Sequence, residues 1–241
     1  MQLWRSRRVA VAPDSGRGYS GATMKPLAAC RLYTFVDTAY LGGRRPEDVA
    51  RQLCDGGSDL IQLRAKDSPA DVVRRLAEAV LPVTEQAGVG LVINDHPRIA
   101  LQVGAPLTHL GQEDFFDAGY RTAAQVTGCP PEIQLGLSTH APEQARRALR
   151  AQPDYIAIGP VFATPTKPGR AAVTLEYVRW AAIHVTIPWF AIGGIHLGNL
   201  DEVLLAGATR VCVVSAILNA PDVAKACQAF RHRLVWVARK S

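Results

Sequence analysis

The stretch LIQLRAKDSPADVVRRLAEAVLPVTEQAGVGLVIND, residues 60–95, contains one complete alternation of strand, helix and strand. The apolar runs Leu60–Leu63 and Gly90–Ile93 predict two strands that are buried on both faces. Between them, Pro69–Ala87 has the pattern of a helix, and Gly88 is placed to cap its C-terminus. Near-continuous apolar strands joined by helices are typical of a parallel sheet.

The same alternation continues on both sides of this stretch. The predicted strands are Leu32–Val36, Leu60–Leu63, Gly90–Ile93, Leu107–Leu110, Ile133–Leu137, Tyr155–Ile158, Trp189–Ile192 and Arg210–Val214. The predicted helices are Pro46–Asp55, Pro69–Ala87, Pro97–Gln102, Ala118–Thr127, Pro142–Ala151, Leu175–Ile183, Leu200–Ala206 and Val223–Val237. Eight strands, each followed by a helix, in a chain of 241 residues favour a single-domain α/β fold, the (β/α)8 TIM barrel, over a doubly wound sheet.

The composition excludes several classes of protein. With 48% hydrophobic and 20% charged residues, the chain is globular rather than disordered. No apolar run approaches the roughly 18 residues of a membrane span, so we expect no membrane partner. Five scattered cysteines without a CxxC pair indicate a reducing compartment, and we therefore expect a cytoplasmic protein.

The formal net charge of +6 belongs to the two ends of the chain. Residues 1–24 carry a net charge of +3 and residues 221–241 a net charge of +4, which leaves the body close to neutral. Because the ends lack an interleaved aromatic and basic motif, we expect no nucleic-acid partner. We expect residues 1–25 to be a disordered N-terminal extension and residues 26–241 to form the barrel domain.

Polar residues gather where the predicted strands end, and in a barrel these ends form the rim that carries the active site. Gln62, Arg64 and Lys66 alternate along an extended chain, so their side chains share one face, which suits a polyanion such as pyrophosphate. A salt bridge to a neighbouring carboxylate is the alternative for these cations. Asp95 and Asp114 follow consecutive strands, and paired carboxylates beside such a cluster suit Mg²⁺. For either carboxylate alone, helix capping is the alternative.

The second half of the rim combines hydroxyls, a cation and glycines. Thr164, Thr166 and Lys167 follow the sixth strand among prolines, in a segment suited to form a lid over an anionic substrate. The glycine pair that ends at Gly194 lets the backbone approach a phosphate, and Ser215 lies opposite it after the eighth strand. Two anion sites and one carboxylate pair on one rim predict two phosphorylated ligands, one of them bound with Mg²⁺.

Seven stretches together resemble the thiamine-phosphate synthase family, and they occur in the family's order across about residues 30–220. They are QLRAKD (62–67), INDHPRIAL (93–101), HLGQED (109–114), GLSTH (136–140), DYIAIGPVFATPTKPG (154–169), AIGGI (191–195) and VVSAI (213–217). The resemblance implies a barrel enzyme that condenses two small-molecule substrates, hydroxymethylpyrimidine diphosphate and a thiazole phosphate, to thiamine phosphate and pyrophosphate. The chain departs from the family's pattern at Ala65, where Glu is common, and at His96-Pro97.

The resemblance also implies a role for each matching position. The residues that would hold the diphosphate are Gln62, Arg64, Lys66, Asn94 and Lys167. The Mg²⁺ ligands would be Asp95 and Asp114, and Ser138 would contact the pyrimidine diphosphate. The residues that would line or hold the thiazole phosphate and pyrophosphate are Thr164, Thr166, Gly194, Val214 and Ser215. Those assigned to catalysis are Arg64, Lys66, Ser138 and Lys167.

The family's mechanism is dissociative, so pyrophosphate leaves before the thiazole nitrogen attacks. No activated Ser or Cys nucleophile is evident in the sequence, and this mechanism needs none. Two alternatives stay open. One is a thiazole tautomerase of the same superfamily, for which His140 is the candidate for proton transfer. The other is a non-catalytic regulator that binds thiazole phosphate. The oligomeric state also stays open, a homo-oligomer included.

Overall fold

Eight parallel strands form a closed barrel in the computed structural model, which describes residues 23–128, 131–164 and 172–238. The strands are β1 (Leu32–Asp37), β2 (Leu60–Arg64), β3 (Gly90–Asn94), β4 (Leu107–Gly111), β5 (Gln134–Thr139), β6 (Tyr155–Ile158), β7 (Trp189–Ile192) and β8 (Val211–Cys212). Each strand pairs with the next in chain order, and β1 pairs with β8 to close the ring. The predicted (β/α)8 barrel is therefore confirmed.

Helices alternate with the strands and cover the outside of the barrel. They are α1 (Pro46–Asp55), α2 (Ala70–Ala87), α3 (Pro97–Val103), α4 (Gln112–Asp117), α5 (Ala124–Thr127), α6 (Pro142–Arg150), α7 (Thr174–His184), α8 (Leu200–Leu205), α9 (Ser215–Leu218) and α10 (Val223–Ala238). Short 3₁₀ helices occupy Leu27–Ala29 and Thr38–Tyr40. Among the described residues, no helix is both long and apolar enough to cross a bilayer.

Most predicted elements match the structure to within one or two residues at each end, and two differences bear on the site. The single helix over Ala118–Thr127 is wrong, because α4 already begins at Gln112 and α5 contributes only the last turn. Gly119, with φ of 86°, takes the left-handed conformation that follows the end of α4. The strand over Arg210–Val214 is shorter than predicted, because Val214 caps the unpredicted helix α9.

The interior of the barrel is filled by aromatic rings from strands on different sides. Tyr33 of β1 contacts Phe190 of β7 and Tyr155 of β6, with ring centroids 5.4 and 6.0 Å apart. Gly136 of β5 makes this packing possible, because a Cβ at that position would overlap the Tyr155 ring. Both tyrosines are fully buried, so their hydroxyl groups need hydrogen-bond partners inside the barrel.

A buried carboxylate holds the N-terminal end of the barrel together. Asp59, directly before β2, is 3% exposed and accepts hydrogen bonds from the backbone N–H groups of Arg31 and Leu32 at 2.8 and 3.1 Å. It also forms ion pairs with Lys25 and with Arg231 of α10, each at 2.6 Å. One side chain thus connects the start of β1, the start of β2 and the last helix.

The predicted N-terminal extension, residues 1–25, lies almost entirely outside the described residues. Its last three residues are described, and two of them contact the barrel: Met24 packs against the core, and Lys25 pairs with Asp59. For residues 1–22 the expected disorder stays a prediction.

We expect Asp59→Ala to lower the free energy of unfolding by about 3 kcal/mol, because it leaves Arg231 and two backbone N–H groups without their acceptor. Urea unfolding followed by circular dichroism measures this change. Asp71→Ala is the matched control, since it removes only the exposed partner of Arg75 one turn along α2. Similar unfolding midpoints for the two variants would contradict the role given to Asp59.

Candidate active site

The end of β2 presents three of the five predicted diphosphate ligands at different depths. Gln62 is buried, and its side-chain amide donates to the Tyr33 hydroxyl inside the barrel at 2.7 Å. Arg64, whose side chain is 14% exposed, donates to the Asp37 carboxylate at 2.8 Å. Lys66 follows in a turn and is exposed. The salt bridge weighed as the alternative for Arg64 therefore exists, and it fixes the guanidinium at the rim.

The end of β3 carries the first of the two carboxylates predicted to bind Mg²⁺. The Asn94 side-chain amide donates to the Asp95 carboxylate at 2.6 Å. The Asp95 backbone is left-handed, with φ of 61°, and its N–H donates to the carbonyl of His109 on β4 at 2.9 Å. This conformation is costly for a residue with a Cβ, and the bond to β4 helps to hold the Asp95 backbone in it.

The second carboxylate, Asp114, lies in the first turn of α4 and is exposed. Its side chain folds back over the end of β4, since a Cβ on Gly111 would overlap the Asp114 Oδ2 atom. Asp114 forms no ion pair with another described residue. Because β3 and β4 are paired neighbours, Asp95 and Asp114 follow neighbouring strands of the rim. Hard carboxylate oxygens at adjacent strand ends fit Mg²⁺.

No group of three His, Cys, Asp or Glu side chains in the described part of the chain is arranged to hold a metal by itself. A Mg²⁺ site does not need such a group, because Mg²⁺ keeps several waters and commonly takes one or two carboxylates together with substrate phosphates. The donor set at this rim is therefore compatible with a metal that binds together with its substrate.

A cavity of about 70 Å³ lies among the ends of β5, β6, β7 and β8. The predicted site residues that line it are Ser138, Thr164, Gly194, Val214 and Ser215. The remainder of its wall is largely apolar and includes Ala157, Pro160, Ile192, Ile195 and Cys212. The structure thus brings together the described residues predicted for the thiazole phosphate, with Ser138 beside them.

Two glycines bring the segment after β7 against the segment after β6. A Cβ on Gly194 would lie 2.7 Å from the carbonyl oxygen of Ala163, and a Cβ on Gly193 would overlap Pro160. The Phe162 N–H donates to the carbonyl of Gly193 at 3.0 Å. Glycine at these positions therefore allows close packing of the two segments and leaves backbone atoms on the cavity wall.

The unpredicted helix α9 adds further backbone groups to this wall. It begins at Ser215, with Val214 as its N-cap residue, and both residues line the cavity. The N–H groups of a first helical turn have no acceptor within the helix. The short helix after the eighth strand of a barrel is a common phosphate-binding element, and the described geometry has that form.

Ser138 connects the cavity to the interior of the barrel. Its Oγ atom lies 2.8 Å from Nε2 of His109, and Nδ1 of the same ring lies 3.1 Å from the Tyr155 hydroxyl. Sequence reasoning missed Tyr33 and Tyr155, because a tyrosine in an apolar strand has the pattern of a core aromatic residue. The available signal was that a phenol inside a barrel must find a polar partner there.

Two other titratable side chains line the cavity. Burial raises the pKa of the Cys212 thiol well above its usual value, so this cysteine is neutral and is a poor nucleophile. His140 contacts the carbonyl oxygen of Gly159 through Nδ1, and its backbone N–H donates to Gln144 at 2.7 Å. Ser138 is hydrogen-bonded to neither Cys212 nor His140 among the described residues, so neither forms a nucleophile–base pair with it.

The lid predicted after β6 lies mostly outside the described residues. Thr164 is its last described residue and lines the cavity. Thr166 and Lys167 are not among the described residues, and their roles stay predictions.

Comparisons with known proteins point to one family. A model of the thiamine monophosphate synthase family matches residues 32–217. The thiamine-phosphate synthase of Thermus thermophilus is 50% identical over 193 residues, which cover 79% of this chain and 90% of that protein. The thiamine-phosphate synthase of Acidothermus cellulolyticus is 42% identical over 214 residues, or 88% of this chain and 98% of that protein.

A solved structure gives the same result for the fold. The thiamine phosphate pyrophosphorylase of Pyrococcus furiosus superposes with a TM-score of 0.75 at 28% sequence identity, over 86% of this chain and 96% of that one. The residues matched by the family model run from the start of β1 to Ile217 in α9 and so include every described strand end of the rim and the whole cavity wall. The chain therefore belongs to the thiamine monophosphate synthase family.

Proposed function

We propose that the protein is a transferase that condenses hydroxymethylpyrimidine diphosphate with thiazole phosphate, giving thiamine phosphate and pyrophosphate, by Mg²⁺-assisted dissociative substitution. The observation that carries the proposal is the division of one rim into two halves. The ends of β2 to β4 bear the cations, amides and carboxylates, whereas the ends of β5 to β8 enclose the cavity. Two anionic substrates can therefore lie side by side on the same face.

Ser138 lies at the boundary between these halves. It pairs in register with Gly111 of β4, three residues before Asp114, and its hydroxyl lines the cavity. We assign the diphosphate to the charged half, with Gln62, Arg64, Lys66 and Asn94, and the thiazole phosphate to the cavity. The reacting carbon would then lie near Ser138, between the two phosphorylated groups.

The bond changes in the proposed reaction are simple. The C–O bond between the pyrimidine methylene carbon and the diphosphate breaks, and its electron pair leaves with pyrophosphate. The electron-rich aminopyrimidine stabilises the methylene cation. The lone pair of the thiazole nitrogen then forms the new C–N bond. The main task of the protein is to hold two substrates in line and to stabilise the negative charge that grows on the leaving group.

The residues of the charged half suit this task. Arg64 is held by Asp37 and is preorganised, so it donates to the leaving group without much reorganisation. Lys66 is exposed and can adjust its position to the diphosphate. Lys167 is proposed to add a second ammonium group from the lid, and Thr166 is proposed to line the region of the pyrophosphate.

Asp95 and Asp114 are the residues that would hold Mg²⁺. Held by these carboxylates, the ion would neutralise negative charge on the diphosphate. The exposed position of Asp114, without an ion pair to another described residue, supports this assignment. We also propose that the protein acts in the cytoplasm on small-molecule substrates; the proposal involves no nucleic acid or membrane and leaves a homo-oligomer possible.

The direct test is to incubate the purified protein with both substrates and Mg²⁺ and to measure thiamine phosphate and pyrophosphate. We expect both products in equal amounts, and no product when EDTA replaces Mg²⁺. In the absence of the pyrimidine substrate, the protein should not interconvert the tautomers of the thiazole substrate.

The two alternative functions give different results in the same assay. A tautomerase would isomerise the thiazole substrate without forming pyrophosphate, and His140→Asn would abolish that reaction. A non-catalytic regulator would bind thiazole phosphate in a calorimeter and form no product. Either result from folded protein would overturn the proposed function.

Asp114→Asn should lower kcat by about 100-fold at a fixed Mg²⁺ concentration, because it removes one charged ligand near the developing charge. A higher Mg²⁺ concentration should recover part of the rate. Asp117→Asn is the matched control, since Asp117 is also an exposed carboxylate of α4, one turn further along. Unchanged Mg²⁺ dependence in Asp114→Asn would contradict the metal assignment, and circular dichroism checks that both variants fold.

A further inference from the structure

One chain of hydrogen bonds crosses the interior of the barrel and joins the two halves of the rim. It runs from Gln62 Nε2 to the Tyr33 hydroxyl (2.7 Å), from there to the Tyr155 hydroxyl (3.0 Å) and on to His109 Nδ1 (3.1 Å). It ends where His109 Nε2 meets Ser138 Oγ at 2.8 Å. The two ends are proposed substrate ligands, whereas the proposed reaction gives the three middle residues no task.

The amide at one end sets the direction in which protons are donated. An amide nitrogen can only donate, so the Tyr33 hydroxyl accepts from Gln62. Tyr33 still has its own hydroxyl proton to donate, and its other described partner is the Tyr155 hydroxyl. If Tyr155 donated to Tyr33 instead, the Tyr33 proton would be buried without an acceptor among the described residues. Buried hydroxyl groups are rarely left in that state, because they lose their hydration without compensation.

The same direction continues to the cavity. Tyr155, which accepts from Tyr33, donates its own proton to His109 Nδ1. A neutral imidazole that accepts at Nδ1 carries its proton on Nε2, so His109 donates to Ser138 Oγ. The Ser138 hydroxyl therefore uses an oxygen lone pair for His109 and keeps its own proton for an acceptor in the cavity.

We propose that Tyr33, Tyr155 and His109 are positioning residues that order the Ser138 hydroxyl as a hydrogen-bond donor toward the cavity. The acceptor would be a diphosphate oxygen of the pyrimidine substrate, and this part of the inference rests on the proposed function. The proton order itself depends only on the geometry of the barrel interior.

Burial of the two tyrosines keeps this order of donors and acceptors fixed. Both tyrosines are completely buried, and burial raises the pKa of each phenol above its usual value, so both keep their protons at physiological pH. His109 is 6% exposed and contacts the Tyr155 ring at a centroid distance of 5.6 Å. Because the two phenol groups in the middle of the chain are shielded from solvent, water cannot readily replace a partner there and reverse the donors and acceptors.

NMR spectroscopy of the ligand-free protein tests the proton order without any assay of activity. With isotope-labelled histidine, we expect His109 to be the Nε2–H tautomer, its signals assigned by their absence in His109→Asn. Tyr155→Phe removes the proton donated to Nδ1 and should shift the Nδ1 resonance of His109. A Nδ1–H tautomer in the unsubstituted protein, or an unchanged resonance in Tyr155→Phe, would overturn the proposal.

Steady-state kinetics tests the consequence for the substrate. We expect Tyr155→Phe to lower kcat/KM by about 10- to 100-fold, the effect of losing a hydrogen bond to a charged group. In a Ser138→Ala background the same substitution should cause no further loss, because the hydroxyl that it orders is absent. Equal losses in both backgrounds would overturn the link to Ser138.

Tyr177→Phe is the matched control for a purely structural effect. Tyr177 is also a buried tyrosine, and its hydroxyl donates to Thr139 of β5 at 2.8 Å, one residue after Ser138, without joining the chain to Gln62. It should lose stability but keep kcat/KM. A loss of kcat/KM as large as that of Tyr155→Phe would overturn the proposal. If the unsubstituted protein formed no thiamine phosphate, the proposed function would fail, while the NMR result would still decide the proton order.

Discussion

The parallel pairing that closes the barrel is the constraint on which the rest of the structure depends. The closing contact is short, since β1 and β8 share only the pairs Leu32↔Val211 and Tyr33↔Cys212. With every strand running in the same direction, every strand ends at one rim. Closure therefore places Gln62 and Ser215 at the same end of the barrel, although they are far apart in the sequence. The proposed site for two substrates needs this convergence, because no single segment of the chain supplies both halves.

Closure also creates an interior that must be filled and whose polar groups must be satisfied. Tyr155 fits only because Gly136 leaves room for its ring, and the phenol then requires a partner that the apolar strands cannot supply. Gln62 and His109 supply partners on either side of the tyrosine pair. Packing and chemistry are thus coupled, since the residues that complete the core also fix the polar atoms beneath the rim. Loss of one hydroxyl from this interior should therefore change the positions of polar atoms at the rim and also lower the stability of the barrel.

The sequence was sufficient for most of the fold because each strand–helix unit carries its own signals. Tyr155–Ile158 and Trp189–Ile192 agree with the structure at both ends, since both are short apolar runs preceded by Asp154 or Pro188 and followed by a glycine. The prediction failed where the pattern was ambiguous, as in Ala118–Thr127, where Gly119 separates two short helices. For the site, alternation along β2 correctly put Arg64 at the rim. It could not show that Asp37, on the neighbouring strand, holds the guanidinium, because partners across strands depend on register.

The effect of each charged residue depends on where the fold places it. The net charge of +6 comes mostly from the two ends, and Arg231 of the last helix is used to hold Asp59 at the opposite end of the barrel from the rim. At the rim, Arg64 is paired with a buried carboxylate and Lys66 is exposed to solvent. A fixed donor stabilises a growing charge without reorganisation, whereas a mobile ammonium can follow the leaving group as it departs. The pairing of Arg64 with Asp37 weakens the local positive field, but it suits the fixed role proposed for Arg64 and is therefore compatible with the proposed diphosphate site.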